Sequence, residues 1–167
     1  MEKLLVKKGN FSYISINISY VNYKNVMINI KEQEDVLKKI PEMHQTHFIV
    51  LMSKNNESAF RQLNVLKNFS EDINIAKWLN INVKTFRDYT FKKNSKVKAD
   101  LSEHVIMLLS LFKHGKKAFG SYEAFEAWLN KEHFTLSWEK PSEYLSTIKG
   151  IEFINNLVTG LEYGDNV

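Results

Sequence analysis

Between Ala99 and Phe119 the sequence repeats Leu101, Val105, Leu108, Phe112 and Phe119 on one side of a helical projection, with no proline to break it. A stretch of this length and period reads as a helix, and its end carries helix-end chemistry. Lys116 and Lys117 lie in the last turn, where cations oppose the dipole, and Gly120 follows as the stop. Punctuation is sparse elsewhere too: two prolines and six glycines in 167 residues favour long helices over a turn-rich β architecture. With 44% hydrophobic and 13% aromatic residues, the chain has enough apolar material for a core. The expectation is a mainly α protein of one domain, or of two small ones packed together.

Shorter helices are expected on both sides of this one. From about Glu42 the apolar period is helical, with Phe48, Leu51 and Met52 on one face and Ala59, Leu63 and Leu66 on the next. Ser70 is the N-cap expected for a short helix with Glu71 and Asp72 in its first turn and Ile73, Ala76 and Leu79 inward. Asn80-Ile81-Asn82 reads as a turn, after which Val83, Phe86 and Tyr89 or Thr90 face inward from a second helix. Ser121 caps a helix over Tyr122–Asn130 that buries Phe125, Trp128 and Leu129. Pro141 suits the first turn of another helix, which Gly150 ends. A last helix, about Ile151–Glu162, presents Ile154, Leu157, Val158 and Leu161.

Residues 1–41 follow a different rule. Tyr13–Tyr20 alternates, with Ile14, Ile16, Ile18 and Tyr20 on one face, and Val26–Ile30 is a second β-prone stretch. These residues read as an N-terminal arm that forms a β-hairpin and needs something to pack on.

Several classes of function are disfavoured at once. The absence of cysteine removes disulfides and thiolate chemistry and fits a reducing cytoplasm. Met1–Lys8 carries Glu2, Lys3, Lys7 and Lys8, so no secretory signal is expected there. The longest apolar runs, Phe48–Met52 and Val105–Leu109, fall far short of the roughly 20 residues of a membrane span. A soluble, cytoplasmic protein with no membrane contact is expected. His44 and His47 have a spacing suited to metal, yet no third ligand stands near them at a recognisable spacing. No phosphate loop, nucleophile elbow or paired-carboxylate signature occurs, so no catalytic residue, metal or cofactor is assigned.

The net charge of +4 is modest, but its distribution is uneven: Lys84, Arg87, Lys92, Lys93, Lys96 and Lys98 face a single acid, Asp88. This cluster begins on the second helix of Ile73–Phe91 and runs on past its end; the segment has helix-turn-helix proportions in which Ala76 lets the two helices cross closely and Ile81 plugs the turn. Lys84, Thr85, Arg87, Lys92 and Lys93 are the candidate DNA-binding residues, able to meet phosphates or guanine edges. Two features oppose that reading. Asn80 stands where glycine is usual, and Asp88 would face the phosphates.

The C-terminal third carries Ala118-Phe119-Gly120-Ser121, Ala124-Phe125, Trp128-Leu129, Leu136, Pro141, Leu145-Ser146-Thr147, Gly150 and Leu161-Glu162-Tyr163-Gly164 in that order. In order and spacing this stretch resembles the C-terminal toxin-binding domain of the Xre/MbcA/ParS antitoxin family. Upstream, Lys84-Thr85-Phe86-Arg87-Asp88-Tyr89 resembles a drifted form of the second-helix motif of the family's Xre-like helix-turn-helix. Trp138 and Lys140 depart from the small or glycine residues usual before Pro141, and Ser142 replaces a usual leucine.

The β-prone pattern sets residues 1–41 apart as the arm; the resemblance implies an Xre-like helix-turn-helix region at 42–98 and a linking helix with the toxin-binding domain at 99–167. It implies an antitoxin of a type II pair, which inhibits a RES-type, NAD-degrading toxin by direct binding and represses its own operon as a homodimer on operator DNA. It places the toxin-blocking element at Glu162, Tyr163, Gly164, Asp165, Asn166 and Val167. A stand-alone helix-turn-helix regulator is the alternative, and an adaptor using the same C-terminal surface is a third reading.

Overall fold

The computed structural model of the chain describes residues 30–43, 56–92 and 97–164. Two compact units are distinguished, residues 1–35 and 36–167. Of the first, residues 30–35 are described, and they are helical. Tyr13–Tyr20 and all of Val26–Ile30 except Ile30 lie outside the described residues, as do Phe48, Leu51, Met52, His44 and His47. Ile30, predicted as β-prone, is helical.

The larger unit is helical, as predicted. After helical residues 36–39 come α1 (Asn56–Leu66), α2 (Asp72–Trp78), α3 (Val83–Phe91), α4 (Ala99–Phe119) and α5 (Tyr122–Leu129). A 3-10 turn at Phe134–Leu136 and a 3-10 helix at Pro141–Ser146 lead to α6 (Ile148–Glu162). Among the described residues there is no strand; one antiparallel bridge joins His133 to Glu139.

The long helix α4 has the predicted bounds but not the predicted one-sided burial. Every residue from His104 to Phe112 is buried. The reason is that α4 is enclosed: α1 packs on it, as do α5 and α6. The segment before α1 covers it as well, since Ser110 Oγ donates to the Pro41 carbonyl at 2.9 Å and Lys113 Nζ donates to that of Ile40 at 3.0 Å. A helix surrounded in this way buries apolar residues around its whole circumference, and its polar residues need local partners. His104 meets this demand by donating from Nε2 to the Leu145 carbonyl at 2.9 Å.

Aromatic rings carry the packing outward from α4. Phe112 stacks on Phe69 with ring centroids 5.0 Å apart and lies 5.9 Å from Trp78 of α2. It also meets Phe125 of α5 edge-on at 5.4 Å. Phe125 lies in turn against Phe119 and Trp128. Gly115 makes the α4–α5 approach possible, because a methyl group there would overlap the Phe125 ring.

Three local predictions need correction. Ser70 does not cap α2: Glu71 occupies the N-cap without a side-chain bond, and Ser70 Oγ accepts from Asn74 Nδ2 at 3.2 Å instead. Ile73 faces outward at 61% exposure, because Ile75 and Trp78 are the α2 side chains that enter the core with Ala76 and Leu79. Gly150 does not end a helix begun at Pro141. That segment is a 3-10 helix, and Thr147 caps a new α-helix by accepting from the Gly150 N–H at 3.0 Å. Gly150 sits inside the first turn of α6 because any Cβ there would collide with the Tyr144 carbonyl oxygen.

Gly150→Ala should therefore destabilise the fold by about 1–3 kcal/mol through backbone overpacking, measured by urea denaturation. Burial holds the His104 pKa below its ordinary 6.5, against the opposing effects of the Leu145 hydrogen bond and the nearby Glu103 carboxylate. Above 6.5 both folded and unfolded chains carry neutral His104; below it the unfolded chain takes up a proton first, so this contribution is lost as pH falls toward the folded pKa. Denaturation midpoints should fall on acidification from about pH 7.5 to about pH 5.5, and His104→Gln should flatten that dependence.

Candidate functional site

Two surfaces contain the residues singled out in the sequence. The first is built by α2, the turn Leu79–Asn82 and α3. Ala76 is buried where the two helices meet, and the Ile81 N–H returns to its carbonyl at 3.0 Å, seating a half-buried Ile81 under the turn. Asn80 adopts φ +52°, the left-handed conformation that asparagine tolerates better than most residues. It thus takes a left-handed turn position of the kind glycine most readily fills. Its Nδ2 donates to the Ser146 carbonyl at 2.7 Å, and beside it Lys77 pairs with Glu143 at 2.8 Å. Asn82 then caps α3, its Oδ1 accepting from the Thr85 N–H at 2.7 Å.

On α3 the candidate DNA-binding residues have different surroundings. Lys84 is exposed and Thr85 is half-buried. Arg87 donates from Nε to Asp72 of α2 at 2.8 Å, tying the two helices together across the turn. Lys92 is exposed 3.6 Å from Asp88, one helical turn behind it. Lys93 lies outside the described residues. The acids Asp72 and Asp88 thus each engage a candidate base, so contact with a phosphate would compete with existing ion pairs.

The second surface is the end of α6. Glu162 is turned toward α4. Its Oε2 accepts from His114 Nε2 at 3.0 Å, and its Oε1 lies 3.3 Å from Lys117 Nζ. These contacts, the His114 hydrogen bond foremost, hold its carboxyl below the usual carboxylate range. The other ring nitrogen of His114 lies 2.7 Å from the Oδ1 of buried Asn155, so the same histidine touches α6 at two levels. Beyond this clamp, Tyr163 is 84% exposed, and Gly164 turns the chain at φ +87° while its N–H returns to the Leu161 carbonyl. That is a glycine helix stop. Asp165, Asn166 and Val167 lie outside the described residues.

A third feature was only partly visible in the sequence. Between His133 and Glu139 the chain closes a tight loop held by backbone bonds from Trp138 N and Leu136 N to the His133 carbonyl, both 3.0 Å. Leu136 is buried beneath it, while Phe134 and Trp138 project at 77% and 65% exposure with their rings 5.8 Å apart, edge to face. Ser137 and Trp138 both have positive φ, +55° and +66°. For non-glycine residues that costs on the order of 1–3 kcal/mol each. Trp138 stood out in the sequence as an unusual residue for the loop; nothing in the pattern marked Phe134 or the two successive left-handed residues.

No curated protein matches the chain. The family model described as "Antitoxin Xre/MbcA/ParS C-terminal toxin-binding domain" matches residues 114–164, from His114 near the end of α4 through the Gly164 turn. That range takes in His114, Lys117 and Glu162, the exposed Tyr163, and the Phe134–Trp138 loop. Over residues 114–164 the chain is thus similar to the C-terminal toxin-binding domain of the Xre/MbcA/ParS antitoxins.

Proposed function

We propose that the chain neutralises a cognate RES-type, NAD-degrading toxin by stoichiometric binding through residues 114–164, and represses its own operon through α2 and α3. The match of that range to an antitoxin toxin-binding domain carries the antitoxin role. The nature of the toxin is supported by the resemblance of the C-terminal third to Xre/MbcA/ParS antitoxins, and the autoregulation by the weaker resemblance of the helix pair upstream.

In this reading the end of α6 is the blocking element. The His114 and Lys117 contacts to Glu162 hold the last turn of the helix, so that the exposed Tyr163 follows a fixed residue. Glu162 then acts as the anchor of the element, and Tyr163 with residues 165–167 as the part that enters the toxin. Preorganising such an element removes part of the ordering cost of binding.

For operator DNA, α3 presents Lys84, Arg87 and Lys92 with Lys93 following in sequence. A homodimer would place two such helices on successive major-groove half-sites. The ion pairs to Asp72 and Asp88 make the expected interaction salt-sensitive and modest per contact.

Co-purification of the tagged chain with the product of the adjacent open reading frame tests the main reading: a tight complex whose partner consumes NAD once released is expected. Deleting Tyr163–Val167 should leave the melting midpoint unchanged and abolish protection in a co-expression growth assay. Continued protection by the truncated chain would remove the blocking role of this end. Lys84→Ala together with Arg87→Ala should weaken operator binding in a mobility-shift titration, by about tenfold or more, and leave toxin binding unaltered. Loss of toxin binding in that variant would mean that the two surfaces have been interchanged.

A further inference from the structure

The loop His133–Glu139 closes on a two-residue reversal. Ser137 and Trp138, both left-handed, are its central residues, the Glu139 N–H donates to the Leu136 carbonyl at 3.0 Å, and the turn leaves the indole outward against Phe134 rather than in the core. The loop is otherwise firmly built. Leu136 plugs it from below, the His133–Glu139 bridge closes it, and His133 Nε2 donates to the Trp128 carbonyl at 3.1 Å. A rigid loop that exposes two large rings has already met the ordering cost that a docking contact normally carries. Aromatic residues presented in this way are the type most often found to dominate protein–protein binding.

We propose that the Phe134–Trp138 pair is the anchor by which this chain selects its toxin. The proposal rests on the antitoxin reading, because the pair lies inside the matched toxin-binding domain. The occupant it requires is a toxin surface with an apolar cleft deep enough for two rings set edge to face. A polar rim is also required, since exposed Lys131, Glu132 and Lys140 adjoin the loop in the chain. The blocking element at Tyr163 would stop the toxin's activity, whereas the aromatic pair would determine which toxin is held.

The test uses the full chain with the toxin encoded beside it. Phe134→Ser and Trp138→Asn remove the rings, and asparagine keeps the left-handed backbone at low cost. Titration calorimetry should show affinity lowered about tenfold or more by each substitution, while thermal melts stay level or rise because strain is relieved. Trp138→Phe, which keeps a ring, should recover most of the loss. Wild-type affinity in the Phe134→Ser, Trp138→Asn double variant overturns the anchor and leaves the antitoxin reading standing. A lowered melting midpoint overturns it too, because the rings would then serve the fold. If the double variant loses self-association in light scattering yet binds the toxin as before, the pair is a contact between copies of this chain. Absence of any complex with the wild-type chain removes the antitoxin reading itself, and the occupant with it.

Discussion

Phe112 is the residue on which the two parts of the larger unit converge. Its ring meets Phe69 and Trp78 on one side and Phe125 on the other, so the α2–α3 pair and the C-terminal helices share one apolar centre. Helix α4 can supply that centre only because it is enclosed on several sides. The enclosure in turn requires that its polar residues find partners within the fold, as Ser110 does at Pro41 and His104 at Leu145. Among the described residues no buried side-chain nitrogen or oxygen is left without a partner. The surfaces described here are therefore mounted on helices whose buried side-chain polar atoms, among the described residues, are all paired.

The rigid core gives the end of α6 its character. The end of a helix usually frays, because its last carbonyls lack partners. Here His114 reaches from α4 to both Asn155 and Glu162, one helix pinning the other near its final turn. Tyr163 is exposed immediately beyond the last pinned residue. Chemistry at this end is accordingly presented from a fixed base.

Much of this was readable from the amino acids. The bounds of α4, the caps at Ser121 and Gly120, the inward positions of Phe86, Phe125, Ile154 and Val158, and the small Ala76 at a helix contact all follow from period and capping rules. What escaped was decided by neighbours distant in sequence. The glycine at 150 looked like a stop, but its reason is the Tyr144 carbonyl beneath it. Gly115 carried no signal until Phe125 was seen to occupy the space a methyl group would need. Ile73 fitted a stripe by period alone, yet Trp78 and Ile75 took the inward places through contacts that no local pattern encodes. The same limit applied to the candidate sites. The sequence located Glu162 and Arg87, but it could not reveal that each already faces an opposite charge on another helix, Lys117 and Asp72 respectively.

The contact of Asn80 with the Ser146 carbonyl joins the turn between α2 and α3 to the 3-10 helix of the toxin-binding range. A hinge at that place would let two bound partners swivel independently. The hydrogen bond, beside the Lys77–Glu143 pair and above the Phe112 cluster, sets a fixed bearing between the faces instead. If each face holds a partner, as proposed, the two would be carried at a set angle to one another. In an assembly of several such chains, that angle would act as a template, and the spacing of the bound partners would be a property of this small chain.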